Sequence, residues 1–383
     1  MILLQSLQGV LSWLGWYVLP FLAILSVIVF IHELGHYSAG RFFNLKIIAF
    51  SLGFGPELLA YVDKRGTRWR LAAFPIGGYV NFDADGAVAS TGDHDAIQVM
   101  TDEQRARTLV GAKLYQRAIV VAAGPVANFI LALVIFTGMY MVQGRVVHLP
   151  RVGEVVAGSA AEKAGFQPGD LVLSMNGEAI ESFEALHQVV SVNTGLPIDV
   201  RVRRGEAVVP LTATPTLTLV NMGVLGKHRM AQLGVVASNA EADRAQEQCG
   251  PLTCVAWGAQ NIGEIVHGTY AYVVGIFAGR EAVDQVTGPI GVSHIAGEIA
   301  KVSPIELFTL GGFFSVSVGL MNLLPIPLLD GGHLMFYLVE AIVRRPLNKR
   351  FQELALKVGV AIIAFLVLFT TSHDIFQLLG LAN

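Results

Sequence analysis

The sequence has few charged residues, and its N-terminal segment has none. No Asp, Glu, Lys or Arg occurs between Met1 and Ile31. Only 14% of the 383 residues are charged and 53% are hydrophobic, whereas a soluble domain contains about a quarter charged residues. The mean hydropathy of +0.58 agrees with this composition. The chain is therefore predicted to be a membrane protein, and its net charge of -3 gives no indication of a nucleic-acid partner.

Cysteine is also scarce, with only Cys249 and Cys254 in the chain. An oxidising compartment would permit a disulfide between them, and so short a loop would add only modest stability. Two unpaired small hydrophobic residues are an equally good interpretation. Neither interpretation gives these cysteines a metal-binding role.

Four segments are apolar and long enough to cross a bilayer if tilt and snorkelling are allowed. They are Val18 to Ala39, Ala118 to Val142, Leu307 to Leu329, and Leu354 to Thr371. The last segment is the shortest and carries Lys357, whose long side chain can reach the headgroup region. Because the first segment lacks a basic flank and a small-residue cleavage site, it is predicted to be a retained span.

Basic residues indicate how these spans are oriented, since short cytoplasmic loops accumulate Lys and Arg. No basic residue precedes Arg41 and none follows Lys357. Basic residues cluster between spans one and two and between spans three and four, whereas the long region between spans two and three balances them with acids. We therefore expect both termini and that long region to face the outside of the membrane.

The first span contains the sequence His32-Glu33-Leu34-Gly35-His36. On a helix, two histidines four residues apart lie on one face and can bind zinc together, and the glutamate between them can act as a general base. Ionisable residues are costly at membrane depth, so such a cluster indicates a functional site. A chance occurrence of the pattern is the alternative.

A catalytic zinc needs a third protein ligand and an open position for water. Asp330 is the candidate, because it ends a proline-interrupted segment at the cytoplasmic end of the third span, which is the depth expected for His36. A helix cap at the interface is the alternative role for Asp330. His333 is a weaker rival ligand or a residue that supports the ligands.

Taken together, the HELGH span, the Gly124-Pro125-Val126-Ala127-Asn128-Phe129 segment, a PDZ-like insert and the Asn322-to-His333 segment resemble the bacterial site-2 proteases of the regulator of sigma-E protease type. The resemblance covers nearly the whole chain. It implies Zn2+ bound by His32, His36 and Asp330, and Glu33 as catalytic base. It further implies that Asn322, Pro325, Pro327 and Asn128 lie beside the substrate. The implied substrates are single-pass transmembrane proteins, such as anti-sigma factors or remnant signal peptides.

Two further elements are predicted outside the spans. Lys46 to Leu59 and Thr67 to Val80 are rich in apolar residues and are separated by a charged turn, a pattern that indicates a membrane-associated β-hairpin. Between Val152 and Leu217, short β-like runs and a helical segment at Ser182 to Val192 surround glycine and aspartate positions that resemble a PDZ domain. Such a domain would bind a peptide ligand along a strand edge or exclude bulky substrates.

The predicted fold is thus a polytopic α-helical membrane protein with four transmembrane helices, a membrane-associated β-hairpin or sheet, and one extramembrane α+β PDZ-like domain. A catalytically silent PDZ-containing scaffold and a multipass transporter are the alternatives. The scaffold would lack Glu33 or a ligand, and a transporter would more often show internal repeats. The predicted segments are the first transmembrane helix at 1–40, the cytoplasmic hairpin region at 41–117, the second helix at 118–143, the PDZ-like domain at 150–238, an amphipathic helical linker at 239–304, the third helix at 305–333, a cytoplasmic loop at 334–353, and the fourth helix with the C-terminus at 354–383.

Overall fold

A computed structural model describes residues 14–83, 86–87, 101–193, 195–221, 227–277, 288–303, 305–345 and 347–378. The chain forms two compact units. The helical unit comprises residues 1–139, 255–269 and 286–383, and the α+β unit comprises residues 140–254 and 270–285. Residues 84–85 and 88–100, which follow the hairpin in the predicted cytoplasmic region, lie outside the described residues.

Long apolar helices make up most of the helical unit. A π-helical turn, Leu14–Val18, leads into α1, Leu19–Phe42. A short helix α2, Asp102–Arg105, precedes α3, Leu114–Gln143, and α10 spans Lys349–Leu378. Three helical stretches in the described part of the chain are long and apolar enough to cross a membrane, namely Gly15–Phe42, Leu114–Gln143 and Arg350–Ile375.

The region of the third predicted span is interrupted. Helix α8, Glu306–Asn322, has 17 residues, and the next helix, α9, begins at Asp330 and ends at Val343. The intervening segment contains Pro325 and Pro327, which cannot donate backbone hydrogen bonds and therefore disfavour a continuous helix. The prediction of one helix through residue 333 is thus corrected to two helices with a break, and α8 is shorter than the roughly 20 residues that a span usually needs.

The predicted hairpin is present, but it is bent into a compact sheet. Strand β1, Ile47–Val62, pairs with β2, Arg68–Phe82, and β2 also pairs with the two-residue strand β3, Gly86–Ala87. Phe50 lies opposite both Val80 and Trp69, so β1 contacts two stretches of β2. Gly53 permits the bend through its positive φ of 87°. Large apolar side chains at the far end of the sheet are exposed, as a membrane-associated element requires.

The α+β unit contains the predicted order of strands and helix. A four-stranded sheet in the order β7-β6-β8-β9 comprises Glu178–Ala179, Leu171–Met175, Ile198–Arg204 and Ala207–Ala213. Helix α4 spans Ala160–Ala164, and α5, Phe183–Val192, begins after Ser182, whose side chain accepts a hydrogen bond from the Ala185 amide. The core of this unit is formed by buried residues that include Val152, Phe166, Met175, Leu186, Val200 and Val202.

The α+β unit extends beyond the predicted boundaries of 150–238. Strand β4, Arg145–His148, pairs with β13, Arg244–Glu247, and β5, Val152–Val155, pairs with β12, Val235–Ala237. Strands β10, Thr216–Asn221, and β11, Lys227–Gln232, form a separate hairpin. Strand β13 lies in the segment predicted to be a helical linker, so that segment is not helical throughout.

Two helices follow within the predicted linker. Helix α6 spans Pro251–Phe277 and α7 spans Pro289–Val302. Cys249 and Cys254 form a disulfide with a Cα–Cα distance of 5.4 Å at the start of α6. The disulfide alternative is therefore the one that this structure contains.

An ion pair links two parts of the α+β unit. Arg204 donates to both oxygens of the buried Asp170 carboxylate at 2.8 Å, and the Gln167 amide donates to it at 2.9 Å. Burial raises the pKa of Asp170, but these hydrogen bonds outweigh it and hold the pKa below its usual value. The ionised carboxylate therefore stabilises the folded state, and this contribution is lost as the pH falls through the lowered pKa.

We predict that Asp170→Asn lowers the free energy of unfolding by about 1–3 kcal/mol at neutral pH, the usual range for a charged hydrogen-bonded group. The difference from the unsubstituted protein should shrink as the pH falls below about 4, because the Asp170 carboxylate is then protonated and, like the Asn side chain, carries no charge. Thermal unfolding of the full-length protein in detergent between pH 7 and pH 3 measures this. The exposed Glu178→Gln substitution is the control, and a pH-independent effect of Asp170→Asn would contradict the prediction.

Candidate metal centre and active site

Two imidazoles converge on one face of α1. The Nε2 atoms of His32 and His36 are 3.2 Å apart, and both side chains are buried. Nδ1 of His36 lies 2.8 Å from the carbonyl oxygen of Val120. Since a carbonyl can only accept, Nδ1 of His36 carries the hydrogen and its Nε2 lone pair points toward His32. This is the arrangement that a metal-binding histidine usually has.

Asp330, the first residue of α9, completes the group. Its Oδ2 atom lies 3.2 Å from Nε2 of His32 and 3.4 Å from Nε2 of His36. Despite these short distances, Oδ2 has no hydrogen-bond partner of acceptable geometry among the described residues. The three potential ligand atoms lie within 4.8 Å of one another. Three buried ligand atoms that converge within this distance suit a shared cation, and two imidazoles with one carboxylate are a donor set typical of catalytic zinc.

Glycines where α1 and α3 meet leave space for this group. A Cβ atom added to Gly35 of α1 would lie 2.3 Å from the carbonyl oxygen of Ala123 in α3. A Cβ added to Gly124 would lie 2.3 Å from Nε2 of His36 and 2.9 Å from Cε1 of His32. Glycine at both positions allows the helix backbones to approach, as small residues do between membrane helices.

Glu33 lies between α1 and the edge of the sheet. Its side chain is buried. A Cβ added to Gly78 of β2 would lie 3.0 Å from Cγ of Glu33. The sequence pattern predicts a carboxylate next to the two histidines. The packing of that carboxylate against β2 is a tertiary contact, which a local pattern cannot show.

The other predicted site residues occupy two places. Asn128 of α3 is fully buried, and its side-chain amide lies 3.3 Å from Nδ1 of His32. Asn322 ends α8, and Pro325 and Pro327 lie in the segment before Asp330. These three residues are outside the three-ligand group, and so is His333, which is buried and whose Nε2 has no hydrogen-bond partner among the described residues.

Two further features fix the position of α9. The segment before Asp330 folds back onto the first turn of α9, since a Cβ on Gly331 would lie 2.3 Å from the carbonyl oxygen of Leu323. At the other end of α9, Glu340 pairs with Arg117 of α3 at 2.8 Å. The sequence pattern gives Arg117 and Glu340 no individual role, and Gly124 only a place in the segment that carries the family resemblance. Their partners are distant in sequence, so no local spacing could reveal the contacts.

The family model "Peptidase family M50" matches residues 20–366, a range that includes both histidines, Glu33 and Asp330. The chain belongs to peptidase family M50. This confirms the resemblance to the site-2 proteases on which the predicted activity rests.

Relatives of nearly the same length support this assignment. A protein of Agrobacterium fabrum, named provisionally as a zinc metalloprotease, is 41% identical over 98% of this chain and 100% of its own length. A Rhizobium meliloti protein with the same kind of name is 43% identical over 95% of this chain and 98% of its own. The metalloprotease MmpA of Caulobacter vibrioides is 36% identical over 94% of this chain and 96% of its own.

Among solved structures, the PDZ domain of the SdrC-like protein from Listeria monocytogenes is similar to part of the chain. The similarity covers 24% of this chain and 85% of that domain, with a TM-score of 0.19 and 15% identity. A TM-score this low supports no statement about the fold, so the description of the α+β unit rests on its own strands and helices.

The family membership and the convergent side chains agree on one activity and one metal. This M50 chain is a zinc metalloprotease, and His32, His36 and Asp330 form a group that could hold the ion. Its apolar helices make it a membrane protein, as the composition predicts.

We predict that Gly124→Ala lowers the zinc affinity by more than about 100-fold, beyond the loss usual for residues that only support the ligands. The added methyl group would occupy the space of the His36 ring and displace the imidazole. Competition for zinc against a chelator, with the purified protein in detergent, measures the effect.

Gly138→Ala is the matched control on the same helix, because a Cβ at Gly138 has no neighbour within 4 Å. Alanine at an open helical position should be neutral or slightly stabilising. Equal zinc affinity in the two variants would show that the contact between Gly124 and His36 does not limit the site.

Proposed function

We propose that this M50 protease hydrolyses peptide bonds within the transmembrane segments of single-pass membrane proteins. The observation that carries the proposal is the position of the histidines and Glu33 on α1, a helix long and apolar enough to lie in the membrane. A buried ionisable cluster in such a helix indicates a functional site at membrane depth. A protease whose site lies there acts most directly on substrate segments at the same depth.

In this proposal, His32, His36 and Asp330 hold the zinc ion. Zinc in such a site supplies a Lewis acid that activates water and polarises a peptide carbonyl. The carboxylate of Glu33 accepts the proton of the attacking water and later donates it to the leaving amine. The contact with Gly78 of β2 helps to hold this side chain in place.

The edge of the sheet beside Glu33 suits an extended substrate. Strand β3 pairs with Asn81 and Phe82 of β2 only, and Gly78 of β2 packs against Glu33. A substrate that adds to this edge by backbone hydrogen bonding would be held straight next to the general base. Asn322, Pro325, Pro327 and Asn128 are proposed to contact the substrate, which must lose its helical hydrogen bonds before its backbone becomes accessible.

The location in the cell follows from charge and family resemblance. We propose that the protein lies in the bacterial inner membrane, with the termini and the α+β unit in the periplasm and the zinc toward the cytoplasm. Basic residues concentrated in the loops around Arg65 and Arg345 support this orientation. The α+β unit would recognise a peptide end or exclude large substrates, and the substrates would be anti-sigma factors or remnant signal peptides.

The test is the cleavage of a model single-pass substrate in liposomes. We predict that Glu33→Gln lowers the rate by at least about 100-fold, the range for loss of a general base, while the bound zinc stays unchanged because the three ligands remain. The exposed Glu162→Gln substitution in the α+β unit is the control and should cleave normally.

Equal cleavage by the Glu33→Gln variant would contradict the role of Glu33. Cleavage of a soluble peptide but not of the membrane substrate would contradict the intramembrane assignment. A protein without zinc that still cleaves would contradict the metal mechanism.

A further inference from the structure

The surroundings of His32 raise a question about which of its nitrogens carries the hydrogen. Nε2 of His32 faces His36 and Asp330, and Nδ1 lies 3.3 Å from Nδ2 of Asn128. If Nδ2 donates to Nδ1, a neutral His32 carries its hydrogen on Nε2. That hydrogen would point into the space between the three potential ligands, where a metal needs a lone pair.

The second histidine shows the opposite arrangement. Nδ1 of His36 donates to the carbonyl oxygen of Val120 at 2.8 Å, which leaves Nε2 free to bind a metal. Two histidines that share one ion through equivalent Nε2 atoms both need an acceptor at Nδ1. His32 therefore needs an oxygen where the structure has the amide nitrogen of Asn128.

Asn128 can supply that oxygen by rotating its terminal carboxamide group in place. The oxygen and nitrogen of a carboxamide have nearly the same shape and exchange places by a rotation of the terminal group. In the present orientation Oδ1 is buried and has no hydrogen-bond partner among the described residues. The present orientation thus leaves Oδ1 without a protein partner in the described part of the chain, and the requirement of the metal favours the other orientation.

We propose that Asn128 is a positioning residue whose Oδ1 accepts the Nδ1 hydrogen of His32 and thereby directs the Nε2 lone pair to zinc. This inference rests on the zinc site of the proposed function. It gives Asn128 the role of orienting a ligand in addition to the proposed contact with the substrate. The freed amide nitrogen then has its hydrogens available for water or a substrate carbonyl within the site.

Two substitutions of similar size separate this role from a packing role. Asn128→Asp keeps an acceptor in either orientation, so its zinc affinity should stay within about threefold of the unsubstituted protein. Asn128→Leu fills the same space without an acceptor, so its affinity should fall by about 10- to 100-fold, the usual loss for a partner of a metal ligand. Both are measured by competition for zinc against a chelator, with the purified full chain in detergent.

Ser315→Ala is the matched control. The Ser315 hydroxyl donates to the backbone carbonyl oxygen of Asn128 at 2.8 Å, so its loss disturbs the same helix contact without touching the carboxamide. Its zinc affinity should be unchanged, and thermal unfolding of each zinc-free variant should show that all three are folded.

The outcomes separate this inference from the proposed function. Unchanged affinity in Asn128→Leu, or an equal loss in Asn128→Asp and Asn128→Leu, would overturn the role of Asn128 as an acceptor while zinc binding by the unsubstituted protein stands. An unsubstituted protein that binds no zinc would instead overturn the site itself. Loss of affinity in Asn128→Leu alone supports the inference.

Discussion

The active site depends on the backbone contact between α1 and α3. Gly35 brings α1 against the Ala123 carbonyl, and Gly124 leaves room on α3 for the His36 ring. At this distance the Val120 carbonyl and the Asn128 side chain can reach the Nδ1 atoms of the two histidines. A side chain at either glycine would separate the helices and remove these hydrogen bonds. Gly35 and Gly124 therefore determine the geometry of the two histidines.

The third ligand depends on a different constraint. Asp330 reaches the histidines because α8 ends at Asn322 and the chain turns back before α9 begins. The prolines disfavour helix in this segment, and Gly331 lets the turned chain pack on the first turn of α9. The ion pair between Arg117 and Glu340 then connects α9 to α3. The helix of the two histidines and the helix of Asp330 are therefore both held against α3.

Local patterns in the sequence revealed the chemistry but not the contacts. The spacing of His32 and His36 was enough to predict a shared helix face, and alternation with a charged turn was enough to predict the β1–β2 pairing. The break after Asn322 was foreseen from Pro325 and Pro327, yet the third span was still predicted through residue 333 because its composition is apolar. Periodicity cannot show where an apolar helix stops. The bend in β1, which brings Phe50 opposite both Val80 and Trp69, also arises from tertiary packing.

The position of Glu33 combines these constraints. Its helix packs closely against α3 at Gly35 and Gly124, and its side chain packs against Gly78 of β2. Among the described residues, β1 pairs with Gly78 and Val80 on one edge of β2, and β3 covers only Asn81 and Phe82 on the other. An unpaired strand edge tends to acquire a partner strand, and here the partner would lie beside Glu33. In the proposed mechanism, substrate binding and proton transfer would therefore depend on one short stretch of β2.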